Sequence, residues 1–331
     1  MHRLRILGAS LIVGGLVVAP VFLDSYFQHV LILILYSAYL SMSWNILGGY
    51  TGQLSIGHAA FLGVGAYTST ALLAKFGLTP WLGMWVGVAF ALALAYCIGF
   101  LSFRYQLRGA YFTLATIAFA EIMRLIAIHV DYTGGAFGMM VQVTENSVLY
   151  FVSTEKRLYY YTILAMLTLL TIIVWRFQRS KTGIYCLAIR EDEDAAECSG
   201  VETTKYKMRA MLLSSGAMAL GGSFYAQYVT FIDPDTVFGV LPSVEMLLPA
   251  IIGGTGTLFG PVVGAFFLVP LSKATKAWFT SYRGIHLLIY GAVLILFLRF
   301  FSGGLIGLIE RLSRGRQESS SDGARVVTST K

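Results

Sequence analysis

Leu82 to Phe103 reads LGMWVGVAFALALAYCIGFLSF, a run without one charged side chain, closed by Arg104 and then Arg108. Wound as an α-helix at about 1.5 Å per residue, it is about 33 Å long and matches the roughly 30 Å hydrocarbon core of a bilayer. A strand of a transmembrane barrel would show about ten residues of alternating polarity. No such alternation runs through the stretch, so it reads as a spanning helix.

Similar runs lie on both sides. Before it come stretches near Leu4 to Leu23, Gln28 to Leu47 and His58 to Phe76; after it come Ala110 to Val130, Tyr159 to Phe177 and Met208 to Tyr228. Composition agrees, with 56% hydrophobic and 12% charged residues and a mean hydropathy of +0.71, well away from ordinary soluble domains. From Val244 to Pro270 an apolar run is interrupted by Gly253-Gly254-Thr255-Gly256-Thr257-Leu258-Phe259-Gly260-Pro261. Reading it as two short or broken helices brings the total to about 10 (range 8–10). The expected fold is an all-α polytopic membrane protein with glycine-rich breaks. Its transmembrane domain covers 1–312 and contains an inner loop at 178–209, and a polar, Ser-rich tail at 313–331 reads as disordered.

Lys and Arg set orientation. Arg104 and Arg108, the six basic residues between Gln178 and Arg209, and Arg311, Arg314 and Arg316 all fall on one side when the count is ten, which puts both termini in the cytoplasm. The loop holding Asp233-Pro234-Asp235 has no basic residue and falls outside. Lys273, Lys276 and Arg283 fall outside too, against the rule. Arg3 and Arg5 before an apolar run suit a signal peptide, but Val18-Ala19-Pro20 has no small-x-small cleavage site, so an uncleaved first helix is expected.

Several function classes drop out. Cys97, Cys186 and Cys198 are odd in number and lack metal-site or disulfide spacing. The formal charge of +7 is spread between the spans rather than gathered into a nucleic-acid patch. No HExxH, no GxSxG and no Gly-Lys dipeptide occurs, so no enzyme site is apparent and any use of ATP must happen in another chain. No metal site is expected: the acidic run Glu191-Asp192-Glu193-Asp194 cannot aim all its carboxylates at one ion from a helix.

Three segments carry the candidate chemistry. From Gly48 to Tyr67, glycines at 48, 49, 52, 57, 63 and 65 accompany His58 at membrane depth. Ser55, Ala59 and Gly63 form a small face suited to close helix packing. Alternatively, the Gly48 to Gly57 stretch is a turn or broken helix whose freed polar groups face an aqueous path, with Gly52, Ser55, Gly57 and His58 as candidate path residues. His58 itself reads as either a hydrogen-bonded structural group or a substrate or proton group. In Arg108 to Arg124, Tyr111, Thr116 and Glu121 lie on one apolar helix, and Glu121 shares a face with Arg124. That pair is either a structural ion pair or part of a path. Gly253, Gly254 and Gly256 mark the second break. In the inner loop, Arg190, Glu191, Glu193 and Asp194 precede Ala195, Ala196 and Gly200, giving a short helix with a small-residue face for a docking protein, or a solvated charged face. A secondary transporter built on paired broken helices remains an alternative.

The segments Gly52 to Tyr67, Arg108 to Glu121, Ala188 to Gly200 and Pro249 to Ala265, in this order, resemble the branched-chain amino acid ABC transporter permeases of the LivM type. The resemblance covers roughly Leu31 to Phe301. It implies a permease subunit in the cell (inner or plasma) membrane that pairs with a homologous permease, binds two ATPase subunits and takes substrate from an extracytoplasmic solute-binding protein. No cofactor is expected on this chain, since ATP and Mg would be used by the partner ATPases. Asp194-Ala195-Ala196-x-x-x-Gly200 is similar to the EAA loop that docks on the ATPase, with Asp194 where Glu is usual. Relatives that carry urea or short amides leave the substrate open.

Overall fold

The computed structural model describes residues 22–141 and 155–278, with Gly15, Leu16, Val18, Ala19, Pro20, Phe151, Gly291, Gly304, Leu305 and Gly307 besides. The expected helix at Leu4 to Leu23 falls mostly outside the described residues, and the Ser-rich tail lies wholly outside them. Long helices follow one another as α1 (Ser25–Thr51), α2 (Ala59–Phe76), α3 (Pro80–Arg104), α4 (Ala110–His129) and α5 (Lys156–Arg179). Two short helices, α6 (Lys181–Glu191) and α7 (Glu193–Cys198), lead into α8 (Thr203–Val229). The five-residue α9 (Pro234–Phe238) precedes α10 (Val240–Gly253) and α11 (Gly260–Trp278).

Among the described residues six helical segments are long and apolar enough to cross a membrane, the last being Pro234–Gly253. The protein is therefore a multi-pass, all-helical membrane protein. The stretch around Val244 to Pro270 forms two helices, as the ten-helix reading requires. α8 begins at Thr203, five residues before the expected Met208, because Lys205, Lys207 and Arg209 are carried on its first turns. Its weaker apolar character has a physical cause: it is packed among helices rather than lipid, and small residues there serve close approach better than large apolar ones.

α1 is the centre of the bundle. It touches α5, α8, α10 and α11, and 72% of its apolar window is buried, against 22% for α4 at the periphery. α2, α3 and α8 pack as a second unit. At their tightest crossing, a Cβ added to Gly65 would lie 2.1 Å from the Ala219 carbonyl, and one on Gly222 only 1.9 Å from the Leu62 carbonyl. Ser223 Oγ, which donates to the Gly65 carbonyl at 3.0 Å, sits in the same crossing. The described segment 131–141 after α4 carries short 3-10 turns and a strand, β1 (Met139–Met140), paired antiparallel with β2 (Phe231–Ile232). This ladder lies at the end of the bundle opposite α6 and α7.

Candidate functional site

α1 ends because Gly52 adopts φ +71°, a left-handed conformation that terminates a helix at little steric cost. Residues 52–58 then run without helix until α2 begins. The freed backbone groups are taken up by neighbouring helices, as burial in a bundle demands. Trp44 Nε1 donates to the Ser55 carbonyl at 2.7 Å, Thr113 Oγ1 donates to the Leu54 carbonyl at 2.7 Å, and Ser243 Oγ accepts from Ala59 N at 3.0 Å. Gly57 lies directly against α4, where a Cβ would come within 1.9 Å of the Thr116 carbonyl. Thr116 is itself buried, with its hydroxyl on the Thr113 carbonyl at 2.8 Å.

His58 is fully buried and sits 2.8 Å from both Ser55 Oγ and Ser214 Oγ. The Ser214 hydroxyl gives its proton to the Ser43 carbonyl at 2.7 Å, so His58 Nε2 must donate to Ser214, and Nδ1 of the neutral ring accepts from Ser55. This fixes one tautomer and ties the break to α1 and α8. His58→Leu is expected to cost about 1–3 kcal/mol, because Ser55 and Ser214 lose their partner in a dry site. His58→Gln, which keeps a donor and an acceptor, should melt closer to wild type, and equal melting of the two variants would show that the two serines do not depend on the ring.

The second break lies between α10 and α11. Gly254 and Gly256 have φ of +123° and +74°, and a Cβ on Gly253 would meet the Gly260 carbonyl at 1.7 Å, so the turn closes on itself. The two breaks face each other. Asn45, buried within α1, donates from Nδ2 to the Thr257 carbonyl at 3.0 Å and accepts on Oδ1 from Gly256 N at 2.9 Å. Arg190 comes from the other side: its Nη1 donates to the Gly49 carbonyl at 2.8 Å and reaches the Thr255 carbonyl at 3.4 Å.

α6 and α7 are separate helices, broken at Asp192, whose backbone is extended and whose side chain caps α7 through Ala195 N at 3.0 Å. Glu193 turns inward. Its Oε1 accepts from Lys207 Nζ at 2.6 Å and lies 3.5 Å from Arg108 Nε, while Asp194 Oδ1 accepts from Arg108 Nη1 at 2.6 Å. The hydrogen bond that Arg108 donates to Asp194 and the charge of Glu193 hold the Arg108 guanidinium more firmly protonated than usual. Ala196 is buried beneath, whereas Glu191, Asp194, Ala195, Glu197 and Gly200 are exposed. Of the cysteines, Cys97 and Cys198 are exposed and Cys186 is buried, with burial pushing its thiol up to about 12.

On α4, Tyr111 is largely exposed. Arg124 grips Glu121 through two hydrogen bonds of 2.9 and 2.6 Å and extends a third of 2.7 Å to Asp235 on α9. A cavity of about 430 Å³ lies between α1, α8, α10 and α11. Tyr36, Ser37, Tyr225, Glu245, Ser272 and Lys273 supply polar groups to otherwise apolar walls. None of the candidate functional residues read from the sequence lines it; Lys273, noted there only for its side of the membrane, does. Asn45, Lys207 and Ser214 were also missed there. A lone Asn inside an apolar run, four residues before Gly49, was the available signal for the first; nothing local marks the others.

Two facing glycine breaks inside a membrane-spanning bundle, with an exposed helix pair fastened beneath them, make the build of a polytopic membrane permease. A family model described as "Branched-chain amino acid transport system / permease component" matches residues 26–298, and the chain belongs to that family. It is 26% identical over 290 residues to the high-affinity branched-chain amino acid transport system permease protein LivM of Escherichia coli (strain K12), covering 81% of this chain and 67% of that protein. The corresponding LivH protein of the same strain is 23% identical over 82% of this chain and 91% of its own length. A shorter match, 28% identical over 36% of this chain and 37% of the relative, is to the autoinducer 2 import system permease protein LsrC of Enterobacter sp. (strain 638).

Proposed function

We propose that the chain is the permease subunit of an ATP-driven importer that moves branched-chain or related amino acids delivered by an extracytoplasmic binding protein. The observation that carries this reading is the exposed α6–α7 unit, whose acidic and small-residue surface stands free while its inner side is fastened to both glycine breaks and to α8. Such a unit is built to receive another protein, and two ATPase subunits that bind ATP and Mg are the partners that fit. On this reading α6 and α7 face the cytoplasm, both termini lie there, and α9 with the β1–β2 ladder faces outward. The amphiphilic cavity suits a small solute with an aliphatic side chain.

A homologous permease is the natural neighbour of α4. That helix exposes Tyr111, Leu114, Ile122 and Leu125 beside the Glu121 carboxylate, which Arg124 pairs but leaves half-exposed. Gly52 to His58, packed on α4, then lies next to the path between the two permeases.

The test is purification of the tagged chain in mild detergent, identification of what stays bound, and uptake of radiolabelled leucine after reconstitution. Recovery of a second permease and P-loop ATPases with ATP-dependent uptake is the expected result; uptake driven by an ion gradient without ATP would sink the reading. Ala195→Trp should abolish uptake while leaving insertion and melting unchanged, because Ala195 is exposed among the described residues. Normal uptake in that variant would remove the docking role.

A further inference from the structure

We propose that Arg190 is the joint through which the α6–α7 unit holds the α10–α11 turn against the end of α1, so that displacement of α6–α7 releases that turn. The proposal rests on the importer reading for the source of the displacement, and on the geometry for the joint itself.

Of the two carbonyls that Arg190 meets, Gly49 belongs to the last turn of α1, and Thr255 lies in the turn just past Gly254, the residue that terminates α10. A carbonyl in the last turn of a helix has no partner within it and carries the negative end of its dipole, so Gly49 gains a donor from outside its helix. One guanidinium nitrogen therefore bridges the end of α1 and the turn that follows α10. It stands on α6, whose surroundings in the bundle are α1, α5, α7 and α8.

The fit is close. A Cβ on Gly256 would lie 2.1 Å from Arg190 Nη1 and 2.8 Å from the Gly49 carbonyl, and one on Gly52 would lie 3.3 Å from Arg190 Cγ. Glycine at both breaks leaves the room that the arginine occupies. Asn45 ties the same turn to α1 from within the bundle, so the turn has one tie internal to the bundle and one that belongs to the exposed unit.

Arg190 lies two residues before Asp192, where the backbone extends to φ −158°, ψ 110° and α7 begins. Glu193, the next residue, is fastened to Lys207. A push on α6 or α7 reaches the guanidinium through at most a few residues of chain. Arginine suits this better than lysine, because its planar fork offers several fixed donors where an ammonium is a point charge on a flexible stem. Arg190 acts here as a positioning residue: it touches no solute and sets where the 254–257 turn sits.

The experiment uses the complete transporter in proteoliposomes, with ATP hydrolysis and leucine uptake measured together. Arg190→Ala is expected to assemble and hydrolyse ATP while the leucine moved per ATP falls about tenfold, within the usual range for coupling between two sites. Gly256→Ala, which keeps the charge but fills the space of the guanidinium, should lower the same ratio, and Arg190→Lys should be intermediate. A second readout needs no transport. With Cys97, Cys186 and Cys198 replaced by Ser, Thr255→Cys should react with a membrane-impermeant maleimide in the Arg190→Ala background without nucleotide. In the presence of Arg190 it should react only after vanadate trapping. A wild-type ratio and wild-type labelling in Arg190→Ala would overturn the joint. So would loss of ATPase assembly, which would make Arg190 a docking residue instead. If the wild-type complex moved no leucine with ATP, the importer reading would fall, and the labelling difference would still decide the joint.

Discussion

Glu193→Ala is expected to destabilise the protein by about 3–5 kcal/mol, the usual consequence of leaving one member of a buried ion pair alone. Lys207 is 1% exposed, with its ammonium 2.6 Å from the Glu193 carboxylate and 5.0 Å from the centre of the Phe103 ring. Without the carboxylate the ring is the charge's nearest compensation, and a cation–π contact is worth about 2 kcal/mol at best when desolvated. Arg108 would retain Asp194, so α7 would stay attached at its exposed side and lose its inner anchor. Melting of the detergent-purified protein checks this. The double variant Glu193→Leu with Lys207→Met should melt near wild type, since apolar replacement of a whole buried pair is often neutral. A single variant that melts with wild type would show that the pair does not hold α7.

Gly222→Val should be more damaging still, with little folded protein recovered from the membrane. The clash is with backbone: the added Cβ stands 1.9 Å from the Leu62 carbonyl, and neither helix can give way by moving a side chain. Overpacking commonly costs about 1–3 kcal/mol and more when the backbone must move. α8 also supports α1 and α3, so separating it from α2 disturbs three contacts at once. Gly216→Ala on the same helix is the control. Its added Cβ would meet only the Leu92 and Val88 side chains at 3.6 and 3.7 Å, an ordinary contact, and near-normal yield is expected. Equal yields from the two variants would mean that the α2–α8 crossing tolerates expansion.

The spans were legible because membrane depth imposes a simple constraint: about twenty apolar residues in a row. That is why Leu82 to Phe103 lies within α3 and Ala110 to Val130 overlaps α4 almost completely. The two-helix reading of Val244 to Pro270 was also legible, since Gly253 to Pro261 cannot continue one helix. The acidic run at 191–194 was less so. It reads as one exposed patch, yet Asp192 caps a helix, Glu193 turns inward and Asp194 reaches Arg108. Successive residues on a helix point about 100° apart, and which direction meets a cation depends on Lys207 and Arg108, both distant in sequence. Arg190 was visible as part of the inner-loop motif, but what it holds was hidden for the same reason. Its partners at Gly49 and Thr255 lie 141 and 65 residues away, and backbone carbonyls leave no mark in a sequence. The Glu121–Arg124 pair was visible from its spacing of three; its third partner, Asp235, was not.

The crossing of α2 and α8 also limits where the molecule can bend. Backbones in near contact at Gly65 and Gly222, with a serine bridging them, cannot slide without collision, so α2, α3 and α8 behave as a stator. α4 meets that block through the Gly57 segment, while the ion pairs of Arg108 and Arg124 at its two ends run to α7 and α9. The α10–α11 hairpin meets the rest of the described bundle largely along α1. Any change in which side of the membrane the path faces therefore falls to these two outer parts, rocking against a block that keeps its shape.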